Sequence, residues 1–230
     1  MTSLQAVVFD LDGTLCESTQ DGSELYAAAF DAVGIDPFGA VGDLWASLDG
    51  PPATSNEQSY LAAGFRRLGA QHGHRRVPAD DLAAGLLAAV DRGAVAFREG
   101  TETALDAALA HGPVGVLTNG PSHRQEPKVV TLALADRVGT VCYAGDLERR
   151  KPHPEPFELV CETLGVAYER TLYVGDSLEY DVAGAHAAGL QAAWCPQSPG
   201  DANGYRPEYV FERPADLVAV LDGAAEAAEP

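Results

Sequence analysis

Short apolar runs alternate with stretches of helical periodicity along most of this chain. Leu4–Phe9 is apolar and rich in β-branched residues, apart from Gln5, and stops at Asp10. Val114–Leu117 stops at Thr118-Asn119-Gly120, Thr140–Tyr143 at Ala144-Gly145, and Thr171–Val174 at Gly175-Asp176. Leu190–Trp194 ends shortly before Pro196. Runs without alternation suit strands covered on both faces, and so a parallel sheet. Between them, Thr101 is the predicted N-cap of a helix through His111, with Gly112-Pro113 as its stop. The prolines of Lys151-Pro-His-Pro-Glu-Pro-Phe157 open another helix, running to about Leu164 before Gly165. Strand and helix in repetition predict an α/β fold with a Rossmann-like open parallel sheet.

One stretch breaks the rhythm. From about Glu17 to Arg98 no run reads as a strand, while helical patterns cover Ser23–Val33, Ser55–Leu68 and Ala79–Phe97. Some eighty residues are too many for one crossover. The expectation is a core domain of residues 1–16 and 99–230 with an inserted all-helical domain, 17–98, over the end of the first strand. Gln20-Asp21-Gly22 and Glu99-Gly100 would be its hinges, and Gly223–Pro230 reads as a fraying tail.

Composition narrows the partners. The chain has 230 residues and carries 34 acidic against 15 basic side chains, a net charge of −19. Such a surface repels nucleic acid and anionic lipid, so neither is an expected partner. Only Lys128 and Lys151 are lysines; the other basic residues are arginines. High-salt adaptation and GC-rich coding both account for that bias. No long apolar span and no basic, apolar leader is present at the start, so a soluble cytoplasmic protein is expected. Cys16, Cys142, Cys161 and Cys195 form no C-x-x-C pair and read as reduced, mostly buried thiols. His72 and His74 read as a solvated loop.

The candidate chemistry lies where the apolar runs end. In open parallel sheets the binding crevice lies beyond the carboxyl ends of the strands. The runs deliver Asp10 and Asp12, Thr118 and Asn119, and Asp176 to that edge, and Lys151 enters from the loop after the third run. Clustered carboxylates call for a cation, and Mg²⁺ with oxygen ligands is the natural one. A lysine beside a hydroxyl and an amide suits a phosphate. Because arginine stands almost everywhere else, a lysine between Arg150 and Pro152 points to a need for a compact ammonium at Lys151.

Asp10-Leu-Asp-Gly-Thr14, Thr118-Asn119-Gly120, Lys151-Pro152 and Gly175-Asp176-Ser-Leu-Glu-Tyr-Asp181 together resemble the four motifs of the haloacid dehalogenase superfamily. They stand in family order and cover the core from about residue 4 to 195. The insertion after the first motif looks like the family's helical cap. Carried over, the resemblance makes Asp10 the nucleophile and Asp12 the general acid and base. It makes Asp10, Asp12 (through its carbonyl), Asp176 and Asp181 the Mg²⁺ site, with Asp181 in the outer shell. Thr118, Asn119, Gly120 and Lys151 would hold the phosphoryl group. Lys128 reads as a solvated helix residue, although Gln125 and Lys128 also recur in some nucleotidase-like members.

The resemblance implies an Mg²⁺-dependent phosphatase acting on a small phosphorylated metabolite through an aspartyl-phosphate, phosphoglycolate phosphatase-like. The alternative is a nucleoside 5'-monophosphate phosphatase. Behind these stand a sugar phosphomutase, a haloacid dehalogenase and a non-catalytic binding protein. Halide-displacing members lack the second carboxylate of the first motif, which Asp12 supplies here. Arg66-Arg67 and Arg75-Arg76 are either solubilising helix ends or a grip on a second anionic group of the substrate. Trp45, Tyr60 and Phe65 are either core or a stacking face for a base. Arg124, Arg149 and Arg150 could add to a local positive pocket beside Lys151.

Overall fold

A computed structural model describes residues 4–48 and 56–226. By its internal contacts the chain divides into two compact units, one of residues 1–17 with 95–230 and one of residues 18–94. The first is built on a parallel sheet. Its strands are β1 (Ala6–Phe9), β4 (Val114–Thr118), β5 (Thr140–Tyr143), β6 (Thr171–Gly175), β7 (Gln191–Trp194) and β8 (Tyr209–Val210), in spatial order β5-β4-β1-β6-β7-β8. The remaining two, β2 (Cys16–Ser18) and β3 (Val95–Phe97), pair with each other where the chain leaves and rejoins this unit.

The apolar runs are explained by burial on both sheet faces. Val7, Phe9, Val114, Val116, Leu172 and Val174 pack into one cluster. Val8, Leu117, Tyr173, Ala192 and Trp194, from the alternate positions, pack into another. Helices α5 (Thr101–His111), α6 (Ser122–Thr131), α7 (Glu155–Leu164), α8 (Ala183–Ala187) and α9 (Leu217–Glu226) connect and flank the strands. Gly165 ends α7 in the left-handed conformation that favours glycine. The register sets Phe9 beside Val116 on one neighbour and Val174 on the other. Asp10, Thr118 and Asp176 therefore leave adjacent strands at nearly one level.

The second unit is helical: α1 (Gly22–Val33), α2 (Val41–Ala46), α3 (Glu57–Gln71) and α4 (Ala79–Ala89). Tyr26, Phe30, Phe38 and Phe65 meet at its centre, with ring centroids 4.9 Å apart for Tyr26–Phe30 and 5.0 Å for Phe30–Phe38. Offset and edge-on pairs of this kind add to the area they bury. Gly85 lets α4 close on α1, since a Cβ there would lie 3.2 Å from the Ala29 backbone.

Several local expectations are corrected. The helical pattern at Ala79–Phe97 stops at Ala89, because Asp91 N–H donates to Gln20 Oε1 and Asp91 Oδ1 accepts from Gly93 N–H, which fixes a turn. Val95–Phe97 then forms a strand. Val41–Ala46 is too short a helix to show a period. Thr101 is the first helical residue and not the cap; Gly100, at φ 85°, turns the chain into the helix. The chain from Gly223 to Glu226 continues α9, while residues 227–230 and Ser55 lie outside the described residues. No described helix is long and apolar enough to cross a membrane.

Candidate active site

Three strand ends and one loop build a buried charged cluster. Asp10 follows β1 and its amide donates to Val174 O at 2.9 Å, tying it to the end of β6. Lys151 Nζ donates to Asp10 Oδ1 at 2.6 Å, Asp181 Oδ1 at 2.7 Å and Tyr173 Oη at 2.9 Å. Those three contacts use the three hydrogens of the ammonium. Tyr173 in turn donates its own proton to Leu117 O. The Lys151 side chain is only 3% exposed, so it is part of the interior and not a mobile surface charge.

Asn119 fixes where that lysine enters. Its Oδ1 accepts from Lys151 N–H at 2.8 Å and its Nδ2 donates to Lys151 O at 3.1 Å. The amide therefore grips the lysine backbone rather than facing the cluster. Asp181 lies against Gly175, where a Cβ would come 2.3 Å from the Asp181 carboxyl carbon. Its second oxygen accepts from Ser177 N–H. Asp176 Oδ2 accepts from Gln197 Nε2 at 2.6 Å, and Trp194 Nε1 donates to the Asp176 carbonyl. Gly13, at φ 78°, passes so close that a Cβ would lie 2.3 Å from Asp176 Oδ2.

Electrostatics follows from burial. Loss of solvent pushes the Asp10 carboxyl up; Lys151 opposes this, and Asp181 and Asp176 add to it. Burial alone would lower Lys151, but Asp10 and Asp181 outweigh it and hold the ammonium charged. Asp176 is also raised, first by burial. Oxygens of Asp10, Asp176 and Asp181 all lie within 4.8 Å of one another. Three carboxylates against one ammonium leave an excess of acidic groups in a largely buried site. An all-oxygen donor set with that excess fits a hard divalent cation.

The other residues singled out in the sequence fall as follows. Thr118 is buried at the end of β4, and its Oγ1 accepts from Gln125 Nε2 at 2.7 Å. The Asp12 carboxylate accepts from Gln125 Nε2 and Lys128 Nζ. Gly120 leaves room for the Gln125 side chain. The family model for haloacid dehalogenase-like hydrolases matches residues 4–189, spanning every one of these positions. The chain belongs to that family.

This hydrolase is 30% identical over 241 residues to the phosphoglycolate phosphatase of Escherichia coli, covering 95% of this chain and 92% of that one. It is 29% identical over 234 residues to the phosphoglycolate phosphatase of Pectobacterium atrosepticum, covering 96% and 94%. Among solved structures, a putative beta-phosphoglucomutase from Thermotoga maritima superposes with a TM-score of 0.74 at 21% identity, over 96% and 99% of the two chains. That likeness speaks for the fold alone. With its first-motif Asp12 and these relatives, the hydrolase is an enzyme of the phosphatase branch.

Several expectations about its charged and aromatic residues change. Lys128 is no free helix residue: it pairs with Asp12 at 2.6 Å. The signal was in the sequence, since the rarity of lysine that pointed to Lys151 applies equally to Lys128. Gln125, three residues earlier on the same helical face, was marked only by its recurrence with Lys128 in some nucleotidase-like members. Tyr173 stood unmarked inside the apolar run Thr171–Val174. Arg149 turns toward His153 and Glu155 at the entrance of α7. Arg66 pairs with Asp80 and Arg67 donates to Ser47 O, both inside the helical unit. Arg75 and Arg76 are exposed. Phe65 is fully buried in the aromatic centre, so it is core and not a stacking face. All four cysteines are buried free thiols.

Proposed function

We propose that this hydrolase cleaves a small phosphomonoester by way of an aspartyl-phosphate on Asp10, with Mg²⁺ that Asp10, Asp176 and the Asp12 carbonyl would hold and Asp181 would support from the outer shell. Phosphoglycolate is the substrate we assign, and the helical unit is the family's cap. The observation that carries the reading is the buried Asp10. Among the described residues only its Oδ1 takes a side-chain hydrogen bond, from Lys151, which leaves Oδ2 for attack. The relatives of matching length support the substrate.

In the forward half, Asp10 Oδ2 attacks phosphorus, the bond from phosphorus to the leaving oxygen breaks, and Asp12 gives that oxygen its proton. In the second half, Asp12 takes a proton from water as the water oxygen attacks phosphorus. The Asp10–phosphorus bond breaks, and inorganic phosphate leaves with the carboxylate restored. Lys151 and the Thr118 hydroxyl stabilise the charge on the transferring group, while Asn119 holds the Lys151 backbone in place. When bound, Mg²⁺ supplies Lewis-acid stabilisation of the phosphoryl oxygens and offsets the repulsion between carboxylates. Uncatalysed phosphomonoester hydrolysis is so slow, with enzymatic accelerations reaching ~10²¹-fold, that even weak turnover is informative.

The test is a panel of phosphorylated metabolites, including phosphoglycolate and nucleoside monophosphates, read by inorganic phosphate release. Phosphoglycolate should lead the panel, activity should vanish with a chelator and return with Mg²⁺, and Asp10→Asn should remove it. Turnover that is unchanged in Asp10→Asn would falsify the mechanism; preference for a nucleotide would replace the substrate.

A further inference from the structure

Asp12 is about half exposed, at 48%, yet both of its carboxylate oxygens are taken. Lys128 Nζ donates to Oδ1 at 2.6 Å and Gln125 Nε2 to Oδ2 at 2.6 Å. An ion pair this open contributes only about 0–1 kcal/mol to stability, so the fold gives little reason for it. In its ionised form, the one that takes the proton from water, Asp12 can only accept, and this fixes the Gln125 amide with its nitrogen toward it. The other hydrogen of that nitrogen goes to Thr118 Oγ1 at 2.7 Å. Gly120 N–H adds a second, longer donor to the same hydroxyl at 3.4 Å. With its oxygen accepting twice, Thr118 keeps its own proton, and no described residue accepts it. Gly120 is part of the arrangement, since a Cβ there would stand 2.5 Å from Gln125 Nε2.

We infer that Gln125 and Lys128 are positioning residues that clamp Asp12 in one orientation, and that Gln125 at the same time aims the Thr118 hydroxyl proton at the phosphoryl group. The inference rests on the phosphatase reading above. It also explains why the second lysine of the chain stands here. An ammonium takes one carboxylate oxygen and leaves the other to Gln125. A guanidinium would take both in a bidentate pair and displace the amide, breaking its link to Thr118. Helical spacing puts Gln125 and Lys128 on one face of α6, so one helix delivers both contacts.

The test uses the leaving group. An alkyl phosphomonoester such as phosphoglycolate releases a poor leaving oxygen that needs the Asp12 proton, whereas p-nitrophenolate leaves without one. Lys128→Met should lower kcat/KM by about 10-fold or more on the alkyl ester, within the ~10²–10⁴-fold that general acid catalysis supplies, and far less on the aryl ester. Gln125→Leu should lower kcat/KM on both, because Thr118 meets the phosphoryl group whatever leaves. Lys128→Arg should lower kcat/KM on both esters as Gln125→Leu does, because the guanidinium displaces the amide from Asp12 and so from Thr118. Thermal midpoints near the wild-type value separate these effects from unfolding. Gln125→Glu keeps the size of the side chain, and serves if the leucine variant fails to fold.

Equal losses on the two esters in Lys128→Met, or wild-type values in both Lys128→Met and Gln125→Leu, overturn the clamp alone. Wild-type turnover that survives Asp10→Asn overturns the phosphatase reading, and the clamp with it.

Discussion

The buried polar side chains of the described residues are distributed unevenly between the two units. Asp10, Thr14, Thr101, Thr118, Gln125, Lys151, Thr171 and Asp181 are buried in the sheet unit, against Ser47 in the helical unit. The helical unit fills its centre with Tyr26, Phe30, Phe38 and Phe65 instead. Burying charge is unfavourable unless every partner is present, while burying aromatic rings is favourable with few geometric demands. The sheet unit therefore bears a stability cost at one edge that its two apolar clusters must offset. The helical unit bears little of that kind.

The sharpest way to break this contrast is Lys151→Met. It leaves Asp10 and Asp181 buried without their shared cation, and should cost about 3–5 kcal/mol in urea unfolding along with the activity. Lys151→Arg should not recover the activity, because the site closes around a point charge with three acceptors. Next comes Phe30→Ala, which removes a fully buried ring from the aromatic centre and should cost about 3–5 kcal/mol in the same measurement. A Lys151→Met variant as stable as wild type would erase the distinction between the units.

A smaller effect comes from the thiols. Burial pushes Cys142 and Cys161 up to about 11 and, with Asp12 adding to it, Cys16 up to about 12. A group raised in the folded state contributes stability below its unfolded value and loses it as pH rises through the folded one. Stability should thus fall from about pH 9 upward, by about 1 kcal/mol per thiol at pH 10. Replacing all four cysteines with alanine should flatten that slope. The smallest effect expected is for Asp80→Asn in the helical unit. Its pair with Arg66 is mostly exposed, and its loss should change stability by less than about 1 kcal/mol.

The sheet was legible because burial on both faces removes alternation from its strands, and the ends of those runs named the residues that meet. Strands of three residues, such as Val95–Phe97, are shorter than any period and were absorbed into a helical pattern. Asp10, Asp176, Asp181 and Lys151 converge because register aligns the ends of β1 and β6 beside the loop that carries Lys151, and three of the four motifs already marked them. Gln125 was not legible as a partner of Asp12, since its contact crosses 113 positions and depends on room left by Gly120. The backbone grip of Asn119 was hidden for the same reason: an amide facing a ligand and one facing a loop read alike in sequence.

That grip also has a kinetic signature. The Lys151 amide hydrogen lies in a loop, where exchange with solvent deuterium is ordinarily fast. Here it is donated to a side chain anchored at the end of β4. It should exchange on the timescale of the sheet amides, so the loop opens only when the end of the sheet opens with it.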